Sequence, residues 1–202
     1  MLRILMLLVL FSAPCFAAGQ LIDDFEAGLT GRGWWVFDAK CEIVPAPSGG
    51  EKNGTKALQI SGPATSYYVG GLGCYLAREK QGLSKYKVVQ LDIYGNGPGS
   101  GSLKIELIDD DNKGWACEQN EKYQPTADDR FTSEIRVAWR GWKRVYLPLS
   151  NFIDDNPLVG DDLWNPAQEN GSGGLLQIQL IAIASQPKGK VNLYVDSLQL
   201  VE

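Results

Sequence analysis

Apolar side chains recur at every second position along most of the chain. Successive Cβ atoms in a strand point to opposite faces, so this period marks strands with one face buried. In "KVVQLDIYG", Val89, Leu91 and Ile93 share one face while Gln90, Asp92 and Tyr94 share the other. "SLKIELID" repeats the arrangement with Leu103, Ile105 and Leu107 against Lys104 and Glu106. The runs "ALQIS", "SYYVGGLGCYLA", "EIRVAW", "WKRVYLPL", "LQIQLIAIA" and "KVNLYVDSLQLV" continue it, and no apolar series at helical spacing extends beyond about two turns. Gly, Pro, Asn and Asp punctuate the runs, which together predict an all-β antiparallel sandwich or barrel.

The punctuation differs from place to place. "YGNGPGSGS", Tyr94 to Ser102, reads as a flexible connection between strands, and "RGWK", Arg140 to Lys143, as a tight hairpin. The longest irregular stretch runs from Asn151 to Gly174, a length that in compact domains usually signals function or disorder. In the last run Val191, Leu193 and Val195 share a face, but Leu198 and Leu200 carry the apolar side afterwards. That change of phase predicts a β-bulge between Asp196 and Ser197, where a carboxylate would be redirected.

The first 18 residues stand apart. Arg3, an apolar run from Ile4 to Phe11 and small residues at Ala17 and Ala18 read as a secretory signal peptide, leaving 19–202 as a single domain, secreted or periplasmic. An alternative anchors the protein as a lipoprotein through Cys15, but Pro14 and Ser12 suit such a cleavage box poorly. No run approaches the roughly 20 apolar residues of a transmembrane helix. Cleavage removes Arg3, leaving 18 basic against 24 acidic side chains, which argues against a nucleic-acid partner. With no histidine anywhere, Ser-His-Asp and Cys-His chemistry are excluded, and zinc lacks its usual ligands. Cys41, Cys74 and Cys117 allow one disulfide with one thiol left over, and spacing does not choose the pair.

"LIDDFEAG", "NGTKALQISG", "SYYVGGLGCYLA", "LSKYKVVQLDIYGNG", "RGWKRVYLPLSNF" and "VNLYVDSLQL" follow one another in an order that resembles carbohydrate-binding module family 11. It also resembles the complex I intermediate-associated assembly-factor family, which shares the galactose-binding-like jelly roll. The likeness covers about Leu21 to Glu202 and implies an antiparallel two-sheet jelly-roll sandwich. In the carbohydrate-binding family the concave sheet holds a sugar chain and a structural calcium joins the chain ends.

Carried onto this sequence, the resemblance implies Ca2+ held by Asp24, Glu26, backbone oxygen at Lys56, and Asp196. Both termini would thereby be tied to one ion, since hard cations collect carboxylates and carbonyls. It implies ligand contacts at Tyr68, at Trp35 or Phe37, and at Trp115, aromatic faces of the kind that stack on pyranose C–H surfaces. In "WW" one tryptophan must point inward and one outward, and the resemblance implies that Trp142 belongs to the core, since its hairpin segment is a signature of both families. Tyr68 on the ligand side would leave open space at Gly70 for a ligand or a neighbouring loop. A Cys74–Cys117 disulfide follows from the placement of both in one sheet of the family.

Two departures accompany these matches. The loop before the penultimate strand carries Asp154, Asp155, Asp161, Asp162 and Trp164 instead of the family's arginine and tyrosine; a second calcium site is one reading of these acids, but their spacing does not fit the EF-hand pattern, and the loop reads instead as a solvated acidic loop. The penultimate strand, "LIAIASQ", lacks the family's aromatic. No motif positions a carboxylate pair for hydrolysis. The expected function is therefore non-catalytic binding, by a monomer, of an oligo- or polysaccharide. The alternative is a protein-interaction or assembly role, in which the same face would show a flat apolar patch including Leu72 and Ile108.

Overall fold

The computed structural model describes residues 19–49, 54–165, 167–168 and 173–202. The signal-peptide and Cys15 readings lie outside these residues. Twelve strands follow in order: Gln20–Asp23 (β1), Trp34–Phe37 (β2), Lys40–Pro45 (β3), Lys56–Pro63 (β4), Tyr68–Tyr75 (β5), Val88–Asn96 (β6), Ser102–Asp110 (β7), Asp129–Arg136 (β8), Arg140–Pro148 (β9), Ile153–Asp154 (β10), Gly174–Ile183 (β11) and Lys190–Val201 (β12). The only helical segments among the described residues are single 3₁₀ turns at Arg78–Lys80 and Leu149–Asn151.

The strands form two antiparallel six-stranded sheets. The first runs β3-β4-β12-β6-β9, with β1 also paired to β12; the second runs β10-β8-β7-β11-β5-β2. The period-two apolar faces close on each other, as in any sandwich. Leu58, Ile60, Leu91, Ile93, Leu193 and Val195 of the first sheet are fully buried, as are Leu72, Leu103, Ile105, Leu107, Ile178 and Leu180 of the second.

In β12 the structure has the expected bulge. Leu193 to Val195 pair with β4, the register slips between Asp196 and Gln199, and Leu198 to Leu200 pair with β1. Ser197 takes φ 52° there, and its N–H donates to Asp196 Oδ1 at 2.6 Å. The bulge thus lets one strand pair with two successive neighbours while keeping its leucines inside.

Three expectations are corrected. "RGWK" is not a hairpin: β9 pairs with β6 in the first sheet while β8 belongs to the second, so residues 137–139 cross between sheets. Trp142 is not in the core. It lies half-buried on the outer face of the first sheet, its Nε1 donating to Pro47 O at 2.9 Å and its ring edge-on to Tyr94. The physical reason is parity, because Val145 of β9 takes the inward face.

Nor is a disulfide formed, since Cys41, Cys74 and Cys117 all carry free thiols. Cys41 sits in β3 of the first sheet, Cys74 in β5 of the second, and Cys117 in the β7–β8 connection instead of a strand. Burial pushes each thiol up to about 12.

Candidate functional site

The opening acids build a turn. Asp23, almost wholly buried, accepts Phe25 N at 2.7 Å with Oδ1 and Trp34 Nε1 at 2.8 Å with Oδ2. Asp24 Oδ1 accepts Glu26 N at 3.2 Å. Phe25, at φ 57°, enters the core 5.8 Å from the Trp34 ring. Trp34 is therefore the inward member of the pair, which turns Trp35 outward.

Glu26 meets the segment the resemblance selected. Its Oε1 accepts Thr55 N at 2.8 Å and Lys56 N at 2.7 Å, and Lys56 Nζ donates to Glu26 O at 2.9 Å. These amides, Lys56 first, hold the Glu26 carboxyl below the ordinary value despite an opposing desolvation penalty. Asp196 is fully buried and stands opposite Asp92, which receives Arg144 in a bidentate pair with both contacts at 2.9 Å. Among the described residues the carboxylate oxygens of Asp24, Glu26 and Asp196 do not all lie within 4.8 Å of one another. The tether seen here between the N-terminal turn and β4 is made of hydrogen bonds.

Trp35 and Tyr68 share the outer face of the second sheet. Register aligns a row straight across it: Trp35 opposite Gly73, Gly73 opposite Gln179, Gln179 opposite Glu106, Glu106 opposite Thr132. A flanking row runs Tyr75, Gln177, Ile108, Arg130. Gly73 has a specific use, because a Cβ there would stand 2.5 Å from Trp35 Cζ2. Without it the indole lies down over β5 and meets the Tyr75 ring at a centroid distance of 5.4 Å.

Beside these rings Gln179 Nε2 donates to Gln177 Oε1 at 3.1 Å. Further across, Lys104 Nζ binds Glu106 at 2.7 Å and Asp155 at 3.2 Å, while Arg130 reaches Asp155 at 3.3 Å. Net, these partners raise the Lys104 pKa against its own desolvation. The face thus combines flat aromatic carbon with amides, carboxylates and cations, the mixture that hydroxyl-rich ligands require.

Tyr68 marks one end of the platform. Its hydroxyl donates to Asp38 Oδ2 at 2.9 Å, and burial, then Asp38 and Glu106, push the phenol up to about 12, so it stays a donor. Below it the space at Gly70, φ 119°, is taken by residues 37–39, since a Cβ would collide with Phe37 O and Ala39 N. A neighbouring loop, not a ligand, is what that glycine admits.

Trp115 lies at the other end, in the β7–β8 connection. Arg78 covers one face of its ring at 3.6 Å, and Trp115 N donates to Asp110 Oδ2 at 3.0 Å. Leu72 and Ile108 are both buried, so neither contributes an exposed apolar patch.

Sequence reasoning missed Tyr75, Gln177, Gln179, Glu106, Lys104, Arg130 and Asp155. Period two was the available signal: the polar partners of Leu103, Ile105, Leu107, Ile178 and Leu180 share one face once the sheet is assembled. Also missed was a concentration of acids where β7 ends and β8 begins. Burial raises Asp109, Asp128 and Asp129 to about 7 and Asp111 to about 6, with carboxylates nearby adding to the effect.

No protein-family model and no curated protein matches the sequence. Solved structures do. A family 11 carbohydrate-binding module from Clostridium thermocellum, solved with a β-1,3-1,4-mixed-linked tetrasaccharide, superposes with a TM-score of 0.60 at 18% identity, covering 92% of this chain and 96% of that one. The family 11 module of the cellulosomal cellulase Lic26A-Cel5E of the same organism gives 0.58 at 16% identity, covering 91% and 94%. The chain therefore has the jelly-roll sandwich fold of family 11 carbohydrate-binding modules.

Proposed function

We propose that this is an exported, non-catalytic carbohydrate-binding protein that holds an oligo- or polysaccharide on the outer face of the second sheet. One observation carries the reading: the uninterrupted row Trp35–Gly73–Gln179–Glu106–Thr132, with an indole laid over a glycine at one end and hydrogen-bonding groups along the rest. Trp35 and Tyr75 stack on sugar rings, Gln177, Gln179, Glu106 and Lys104 bind hydroxyls, and Tyr68 closes one end. The solved neighbours support it, one of them having been determined with a bound tetrasaccharide. The burial of Leu72 and Ile108 favours sugar over a polypeptide partner. Export rests on the character of residues 1–18.

The test is a polysaccharide panel that includes mixed-linkage β-glucan, read by affinity electrophoresis or a glycan array, with W35A and Q179A beside the parent. Loss of one stacking ring is expected to weaken binding by about tenfold or more, from the worth of an aromatic contact in a desolvated site. Absence of binding across the panel, or undiminished binding by both variants, would defeat the proposal.

A further inference from the structure

Five aspartates converge at the loop end of the second sheet. Asp111 follows β7, Asp129 opens β8, Asp154 ends β10, and Asp161 and Asp162 lie in the loop beyond. One carboxylate oxygen each from Asp111, Asp129 and Asp161 lies within 4.8 Å of the others, and the same holds for Asp129, Asp154 and Asp162. Oxygens bound to one calcium at about 2.4 Å can stand no further apart than twice that distance, so each trio has the right span.

Proximity of acids alone would be an acidic surface. Here the shared member is different, because Asp129 is fully buried and its Oδ1 has no hydrogen-bond partner. Its other oxygen accepts Leu163 N at 3.1 Å. Asp111 repeats the arrangement, with Oδ2 accepting Asp129 N at 2.8 Å and a buried Oδ1 left without a partner.

Gly160 packs against both carboxylates. A Cβ at Gly160, φ +79°, would collide with Asp111 Oδ2 and Asp129 Oδ1 together, so only glycine lets this loop close over the pair. Asn165 adds a neutral oxygen: its Nδ2 donates to Asp161 Oδ2 at 2.9 Å while its buried Oδ1 is unpartnered. Among the described residues no lysine or arginine forms an ion pair with any of the five aspartates. A buried carboxylate with no counter-charge must gain a proton or a cation, and its raised pKa is the proton's half of that alternative.

We propose that Asp111, Asp129 and Asp161, flanked by Asp154, Asp162 and Asn165, bind one hard divalent cation of calcium type. The ligands come from β7, β8 and the acidic loop, so the ion fixes that loop to the sheet. The loop is thereby a ligand-supplying strap, and the site is separate from the N-terminal turn and from the sugar platform's own hydrogen bonds.

Calcium uptake by the full mature chain, measured by equilibrium dialysis with metal analysis, tests this beside thermal melts in calcium and in chelator. The parent is expected to take up calcium and melt higher with it, because a ligand bound only by the native state stabilises it. D129N and D161N should each lose about tenfold or more in calcium affinity while melting in chelator no lower than the parent, since an amide still accepts a backbone N–H and removes a crowded charge. E26Q should bind calcium as the parent does. No uptake at millimolar calcium, or parental affinity in both aspartate variants, would overturn the site. Loss in E26Q alone would place the ion at the N-terminal turn and overturn it equally. None of these outcomes depends on whether a carbohydrate binds.

Discussion

Gly73 shows how one missing atom shapes a surface. An edge strand normally stands its side chains upright, but Trp35 lies across β5 because nothing projects from position 73. Gly73→Val would keep the strand, since β-branched residues suit extended backbone. The valine would displace the indole, whose Cζ2 already lies 2.5 Å from the position of a Cβ. The expected outcome is a cooperatively folding protein with polysaccharide affinity reduced about as far as in W35A, by roughly tenfold. Affinity electrophoresis measures the loss, with circular dichroism confirming the fold. A variant binding as well as the parent would remove Trp35 from the platform. Nothing in "GGLGCY" announces this role; glycine is read from sequence as a breaker, and its use here depends on a tryptophan 38 positions earlier.

At the scale of elements, what was legible was what repeats. β6, β7, β11 and β12 follow from alternation, and even the bulge in β12 shows as a change of phase, because burial on one face writes the register into the sequence. β3 and the first half of β8 were not legible. In "KCEIVP" the apolar face holds only Cys41 and Ile43 before Val44 and Pro45 end the alternation, and in "DRFTSE" the inward face holds a single large apolar residue, Phe131, between Asp129 and Ser133. Likewise the crossing at 137–139 looks locally like any turn.

The N-terminal turn is an element whose stability should carry a pH signature. The Glu26 carboxyl lies below its ordinary value in the folded protein because of the Lys56 and Thr55 amides. A group of lowered folded pKa contributes stability that is complete above its unfolded pKa and lost as pH falls through the folded one. Melting temperatures of the parent and E26Q should therefore differ at neutral pH and converge as the pH drops well below 4.5. A difference that persists undiminished into acid would show that Glu26 acts by packing alone.

Across the whole molecule, the proposed sugar platform and the proposed aspartate site meet in one stretch of chain. Asp154 stands among the converging carboxylates, while its neighbour Asp155 pairs with Lys104 and Arg130 on the platform. Asn156 links the two regions further, its Nδ2 donating to Asp128 O and its Oδ1 accepting Arg130 N. An ion that holds residues 154–162 thus also holds the acceptor that positions Lys104 and Arg130. If the platform uses these cations, calcium must raise carbohydrate affinity, and by thermodynamic reciprocity the carbohydrate must raise calcium affinity by the same factor. A coupling of about fivefold is the modest end of what such linked sites show. Calorimetric titration of a bound polysaccharide fragment, with calcium and with chelator, should reveal that factor in the parent. At a calcium concentration that fills the parent but not the weakened variant, the factor should vanish in D161N, and it should shrink in D155N, which keeps the ion but severs the link to Lys104 and Arg130. Equal affinities with and without calcium in a parent shown to bind both ligands would mean that the two sites share a loop without sharing energy.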